Sequence, residues 1–210
     1  MRRVLLLCLA AVTLSGCAAL DALDRAAEPL DVHELRAPAE VPAAPGSGAA
    51  QVVVEAPSAA GAIATDRILV RDGATRVAYL PDARWSAEAP EMVRSAMVET
   101  LIRAGAFGFV GRRPLGASGD YALVSELVDF GARPETEGAG ADGAGAEVAM
   151  TLVARLVRER DAEIVAARRF AHAVRVPDTS TPALLSGFAA VSDAVLTDLA
   201  GWAARAAGRG

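Results

Sequence analysis

Two pairs of alternating segments place the strongest constraint on how this 210-residue chain folds. Residues 67–71 and 75–79 alternate apolar with polar side chains, and Asp72-Gly73 between them is typical of a tight hairpin turn. Residues 147–157 and 164–176 alternate in the same way across a short polar stretch. Alternation with a period of two is the pattern of strands that bury one face. The chain is therefore predicted to contain two antiparallel hairpins.

Two further segments have the periodicity of amphipathic helices. One begins at Pro90-Glu91 and ends near Gly105, and the other covers residues 182–207, with Thr181 or Ser180 as its cap and Gly208 at its end. Three other runs are strand candidates: residues 51–55, 107–110 and 121–130. Together these elements predict an α/β sandwich with a mixed, largely antiparallel sheet and two main amphipathic helices.

The N-terminus has the organisation of a signal peptide. Arg2 and Arg3 precede the apolar run 4–14, which is too short to span a membrane as a helix. The run ends at Leu14-Ser15-Gly16-Cys17, which resembles the bacterial lipobox, in which the cysteine sulfur receives a diacylglycerol thioether. The sequence predicts lipid attachment at Cys17 and removal of residues 1–16. The alternative is an ordinary signal peptide that happens to contain Cys17.

Processing at Cys17 would change the charge and the chemistry of the chain. The formal charge of −5 becomes −7, because loss of Arg2 and Arg3 leaves 19 basic against 26 acidic residues. Cys8 leaves with the leader, so no free thiol and no disulfide remain. A net negative chain without a basic block argues against nucleic acid as a partner. Ala18, rather than Asp, follows the cysteine, and the sorting pattern of Gram-negative lipoproteins then favours the outer membrane, facing the periplasm.

Residues 17–50 are rich in Ala and Pro and end in Gly and Ser, which is the composition of a tether. Within them, residues 31–35 could pair as an edge strand. The folded domain is predicted to cover residues 51–207.

A glycine-rich loop contains a formal G-x-G-x-x-G match at Gly138, Gly140 and Gly143. A dinucleotide site needs this turn to open a helix, with an acidic residue about 20 positions later. The segment that follows alternates like a strand, and the acidic residues Asp161 and Glu163 lie in a predicted hairpin turn. We interpret the loop as a flexible connection and expect no cofactor.

No residue pattern indicates catalysis or a metal site. Residues 116–119 lack the spacing of a nucleophile elbow. His33 lies in or beside the tether, and His172 shares its strand face with Phe170 and Val174, which favours a hydrogen-bonded structural histidine over a catalytic one or a zinc ligand.

Charged and sulfur-containing side chains have simple interpretations. Glu126 and Asp129 are candidates for solvated strand positions, and the pairs Arg112-Arg113 and Arg168-Arg169 for surface or partner-facing groups. Met92 and Met97 are interpreted as core residues, with a Met-lined lipid groove as the alternative.

The order of several motifs resembles the ABC-type transport auxiliary lipoprotein family. The most distinctive is the run from Thr65 to Arg71, with the sequence Thr-Asp-Arg-Ile-Leu-Val-Arg. Other stretches match the family pattern and occur in the same order as in the family. They are residues 31–38, 52–57, 76–80, 83–85, 121–130 and 199–202. The resemblance covers nearly the whole chain after Cys17, although the Gly/Ala loop is longer than the family pattern requires.

The resemblance implies an anticodon-binding-domain-like α/β fold and a non-enzymatic role. It implies a lipoprotein that accompanies a transporter built on an MCE (mammalian-cell-entry) protein with its ABC permease and ATPase, and that takes part in moving lipids between the inner and outer membranes. It leaves a homo-oligomer open. Trp85 and Trp202 match the family pattern, and we interpret both as packing residues, with partner contact as the alternative.

Two other functions stay open from the sequence. One is a structural envelope lipoprotein that binds peptidoglycan or another periplasmic complex. The other is an envelope hydrolase, which the lack of a nucleophile–base motif disfavours.

Overall fold

The computed structural model describes residues 30–44, 48–73, 75–112, 119–135 and 145–208. Within these ranges one open, mixed sheet of nine strands carries two helices, which confirms the predicted fold class. The strands are β1 (Asp31–His33), β2 (Gln51–Val54), β3 (Ser58–Ala59), β4 (Arg67–Asp72), β5 (Arg76–Trp85), β6 (Phe109–Gly111), β7 (Tyr121–Pro134), β8 (Ala146–Arg158) and β9 (Glu163–Val176). The helices are α1 (Ala89–Ala104) and α2 (Thr181–Ala207).

Several predictions fall on parts of the chain outside the described residues. These are the leader with Cys8 and Cys17, the tether before residue 30, the glycines at 138, 140 and 143, Arg113, and residues 116–118 of the 116–119 stretch.

Three long strands, β7, β8 and β9, form an antiparallel meander that ends at one edge of the sheet. β7 pairs with β8 from Tyr121↔Arg158 to Pro134↔Ala146, and β8 pairs with β9 along its full length. The turn between β8 and β9 places Ala162 at a positive φ of 56°, a conformation that tight turns impose. The second predicted hairpin is therefore present.

Short strands run parallel to β7 along its other edge. β2 pairs with the start of β7, β3 with its middle and β4 with its end, while β6 extends the sheet beyond β2. β5 pairs antiparallel with β4, as predicted for the first hairpin. This succession of parallel neighbours on one strand makes the sheet mixed.

Both helices pack with one apolar face inward. α1 begins with Pro90 in its first turn and ends at Gly105, whose φ of 65° is the left-handed conformation that favours glycine. α2 is the one described helix that is long and apolar enough to cross a membrane, yet half of its apolar stretch is buried inside the fold. It packs on β8 and β9 as a core helix.

The N-cap of α2 is Ser180, one of the two residues predicted for it, but its side chain makes no capping hydrogen bond. Instead, the backbone N–H of Ser180 donates to Asp178 Oδ1 at 2.8 Å, so Asp178 holds the turn that leads into the helix. Gly208 ends the helix without a left-handed turn, at φ −71°.

Aromatic rings form the centre of the core. Trp85 stacks on Phe130 with ring centroids 5.7 Å apart and meets Phe188 edge-on at 5.3 Å. Trp202 contacts Phe170 at 5.6 Å. Both tryptophans are buried, which supports their interpretation as packing residues. Met92 and Met97 are buried in the same core.

The docked segment, residues 33–44, lies against the helices although its composition is that of a tether. Leu35, Ala37 and Pro38 are buried. The carbonyl oxygen of Pro38 accepts a hydrogen bond from Arg103 at 2.5 Å, and the N–H of Ala44 donates to the carbonyl of Ala104 at 3.1 Å. The compact unit accordingly begins at Val32.

Candidate functional site

A recess on the described surface lies between the docked segment and α2. It has a volume of about 510 Å³ and is lined by Pro38, Ala39 and Glu40 on one side and by α2 and His172 on the other. A second recess of about 380 Å³ continues from it toward Trp85 and Phe188. The two share Ala39 and Asp193, so together they form a groove along the outer side of α2.

His172 lies on β9 and reaches across to α2. Its Nε2 is 3.0 Å from Asp198 Oδ2, and both side chains are close to half exposed. The hydrogen bond that the sequence predicts for His172 is present, and its partner is a carboxylate. The pair links the edge strand to the helix beside the groove.

The groove is acidic along its helical wall. Asp193 and Asp198 on α2 and Glu40 on the docked segment all line it. Burial raises the pKa of Asp193 above its ordinary value, because a partly desolvated carboxylate loses hydration. The sequence analysis did not single out Asp193 or Asp198; the available signal was that they are the two acidic residues of an otherwise apolar helix.

The groove offers hydrogen-bonding and acid–base groups. Among the described contacts, His172 bonds to Asp198 and not to a serine, threonine or cysteine, so the pair lacks the activated nucleophile of covalent catalysis. Within the described ranges, no three His, Cys, Asp or Glu side chains come together as metal ligands. This geometry suits binding of a side chain or a short segment.

Asp129 is not at a solvated strand position, so that prediction was wrong. The β7 register shifts between Leu127 and Asp129, so residues after this bulge no longer continue the alternation of those before it. The Asp129 carboxylate is only 15% exposed and accepts hydrogen bonds from Arg71, at 3.3 Å, and from Arg133. Glu126 is exposed, as predicted.

Asp161 lies in the hairpin turn, as predicted, whereas Glu163 is the first residue of β9, directly after that turn. Both accept from Arg158, at 3.2 and 2.8 Å. Desolvation alone would raise the pKa of Asp161, but hydrogen bonds from Arg158 and from the Glu163 backbone outweigh it, and the pKa is lowered. The segment after the glycine loop forms strand β8, whereas a dinucleotide fingerprint opens a helix.

Arginines line the outer strand of the meander. Arg168 and Arg169 on β9 are exposed, in agreement with their predicted surface role. The Arg168 guanidinium lies 5.1 Å from the centre of the Phe170 ring. Arg155 on neighbouring β8, which the sequence analysis missed, is opposite Ala167.

Comparison with known proteins identifies the family. A family model for the ABC-type transport auxiliary lipoprotein component matches residues 33–200. The fold is similar to that of a DUF330-family protein from Xanthomonas campestris, with a TM-score of 0.72 and 23% identity over 87% of this chain and 98% of that one. It is also similar to an uncharacterized protein, with a TM-score of 0.57 and 14% identity over 85% and 98% of the two chains.

The two structural likenesses concern the fold alone. No curated protein is similar enough to match this sequence. The family model covers well over half of the chain, including the central strands and most of α2. This protein therefore belongs to the ABC-type transport auxiliary lipoprotein component family.

Proposed function

We propose that this protein is a lipid-anchored, non-enzymatic auxiliary subunit of an MCE-type ABC transporter that moves lipids between the inner and outer membranes. In this proposal residues 1–16 are removed, Cys17 carries the lipid, and the chain lies on the periplasmic face of the outer membrane. Its partners are an MCE-domain protein and the associated permease and ATPase.

The observation that carries the proposal is the family match over residues 33–200, which coincides with the folded unit. The Leu14-Ser15-Gly16-Cys17 motif lies before that unit in the sequence, and it supports membrane attachment. A thioether-linked diacylglycerol brings two acyl chains, which hold a protein on a membrane far more firmly than one.

The described side chains support a binding role. The groove beside α2 presents a histidine–carboxylate pair and further carboxylates, and the described contacts hold no nucleophile–base pair there. Docking of a transporter component needs such a surface and needs no catalyst.

Metabolic labelling with radioactive palmitate tests the anchor. The natural chain should incorporate label and fractionate with outer membranes on a density gradient. Cys17→Ala should abolish labelling, whereas Cys8→Ala, which removes the other cysteine, should leave it unchanged. Labelling that survives Cys17→Ala, or label confined to inner membranes, would contradict the proposed anchor or its location.

Co-purification tests the partner. The anchored chain should recover the MCE-domain protein of the same organism from detergent-solubilised envelopes after mild cross-linking. A lipidated, folded chain that recovers peptidoglycan fragments and no MCE or ABC subunit would instead support the structural envelope lipoprotein.

A further inference from the structure

The outer edge of β9 is the longest unpaired strand edge in the described part of the molecule. β9 runs for 14 residues and pairs there with β8 alone. At about 3.3 Å per residue its outward backbone groups span some 45 Å. We propose that this edge binds an extended, acidic segment of a partner protein by β-strand addition. The proposal goes beyond the auxiliary role above and does not depend on the lipid anchor.

The side chains of β9 leave the edge accessible to another strand. Natural proteins protect such edges with proline, charged side chains or short strands. β9 is long and has no proline, and its arginines protect it against strands of like charge but not against an acidic one. Ala167, Ala171 and Ala173 are small and exposed. A neighbouring backbone can therefore approach to the usual spacing of a sheet, about 4.8 Å.

The arginines on and beside β9 determine which kind of strand could pair with its free edge. Arg168 and Arg169 are consecutive, so they point to opposite faces of the sheet, and no ion pair to either is described. Arg155 adds a third cation on the same face as Arg169, since it is opposite Ala167 while Val153 is opposite Arg169. Both faces of the β9 edge therefore carry positive charge, on a chain whose formal charge is −5.

The same arginines argue against a second copy of β9 as the occupant. A two-fold antiparallel pair of β9 edges that overlap along nearly their full length would centre on Arg169 or on Phe170. The two copies of Arg169 would then lie directly opposite each other or be diagonal neighbours, and like charges across a strand pair are destabilising. An added strand with two consecutive carboxylates would instead direct one toward Arg168 and the other toward Arg169.

A synthetic peptide provides the probe. The octapeptide Thr-Val-Thr-Glu-Glu-Thr-Val-Thr, with blocked ends and a fluorescent label, should bind the purified full-length chain in a fluorescence anisotropy titration. The same peptide with two lysines in place of the glutamates should bind at least about tenfold more weakly, as expected when two cross-strand ion pairs become like-charge contacts. Hydrogen exchange should show new protection within residues 163–176.

A charge-reversal variant locates the site. Arg168→Glu/Arg169→Glu changes two exposed side chains, and it should lose affinity for the glutamate peptide by about tenfold and gain affinity for the lysine peptide. Arg36→Glu/Arg76→Glu makes the same change in net charge at two exposed positions away from β9, and it should bind like the natural chain.

Three outcomes would overturn the proposal. The first is failure of the glutamate peptide to bind at β9, seen either as no binding or as hydrogen-exchange protection outside β9. The second is a chain whose β9 amides are already protected through self-association. The third is arginine-dependent binding to vesicles of phosphatidylcholine and phosphatidylglycerol without binding to the peptide, which would assign the arginines to a membrane surface.

Discussion

Gly187 of α2 lies so close to Val148 of β8 that a Cβ atom at Gly187 would be 2.7 Å from Val148 Cγ2. The same atom would be 2.9 Å from Val176 Cγ1 on β9. Both contacts are to short β-branched side chains, which cannot swing aside as a long flexible chain could. The missing side chain at Gly187 is what allows the helix to approach the meander.

Gly187→Ala should therefore lower the free energy of unfolding. Overpacking of a filled core costs about 1–3 kcal/mol, and the better helix propensity of alanine returns about 1 kcal/mol. We expect a net loss of up to about 2 kcal/mol, measured by urea denaturation. Gly201→Ala in the same helix is the matched control, because its Cβ would meet only the Arg205 guanidinium, at 3.2 Å. Equal effects at the two glycines would show that helix propensity, and not close packing, decides.

Trp85 should be among the most costly core side chains to truncate. It is 2% exposed and contacts both Phe130 and Phe188. Trp85→Ala should reduce the free energy of unfolding by about 3–5 kcal/mol, as for other buried aromatic residues. Ile102→Ala, at a position 57% exposed on α1, should change it by less than about 0.5 kcal/mol. A small effect of Trp85→Ala would contradict the aromatic cluster.

Asp129 should stabilise the junction of β4 and β7. Its carboxylate accepts from Arg71 and Arg133, and removing it leaves two partly buried guanidinium groups without this acceptor. We expect Asp129→Ala to cost about 1.5–3 kcal/mol, the range for hydrogen bonds to charged groups. Glu126→Ala on the same strand is exposed and should cost less than about 0.5 kcal/mol. Thermal unfolding at high salt should preserve the difference, since partly buried pairs are weakly screened.

Asp193 should make stability depend on pH in the direction opposite to a salt-bridged acid. Because burial raises its pKa in the folded chain, the folded state holds the proton more tightly than the unfolded state. The contribution of Asp193 to the free energy of unfolding is therefore most favourable below the ordinary pKa of aspartate. It becomes less favourable as the pH rises through the raised pKa.

The neutral variant Asp193→Asn should then be more stable than the natural chain at pH 7, by less than about 1 kcal/mol because the site is partly solvated. The gain should disappear at pH 3. Glu40, Asp198 and His172 line the same recess as Asp193. The unfolding free energies of the two chains are therefore compared at one ionic strength, so that the screening of these charges stays constant. Asp82→Asn, at an exposed position of β5, controls for the change in charge. A gain that persists at pH 3 would exclude titration of Asp193 as its cause.

Local patterns predicted the elements better than their arrangement. Both hairpins and both helices follow from alternation, helical spacing and turn residues, which act over a few positions. The parallel pairing of β2, β3 and β4 with β7 depends on contacts between distant segments, for which a single sequence carries no local signal. Asp129 was predicted to be solvated because its contact with Arg71 joins two strands that are distant in the sequence, and no local pattern marks that contact.

The functional surfaces were predicted less completely for the same reason. His172 and Arg168 could be assigned from their places on a strand, whereas Asp198 became relevant only through its contact with His172. The composition of the docked segment indicates an extended chain, but it does not show that Leu35 is buried or that Arg103 bonds to Pro38.

Attachment of the docked segment limits how far the domain can stand from its membrane. In the lipid-anchored protein that we propose, only the 14 peptide units from Cys17 to Asp31, the first residue of β1, connect the acyl chains to the fold. Fully extended, that length is at most about 50 Å. The same chain with residues 31–44 released would reach about 45 Å farther. In the anchored protein that we propose, the docked segment would therefore hold the domain close to the membrane that carries the lipid.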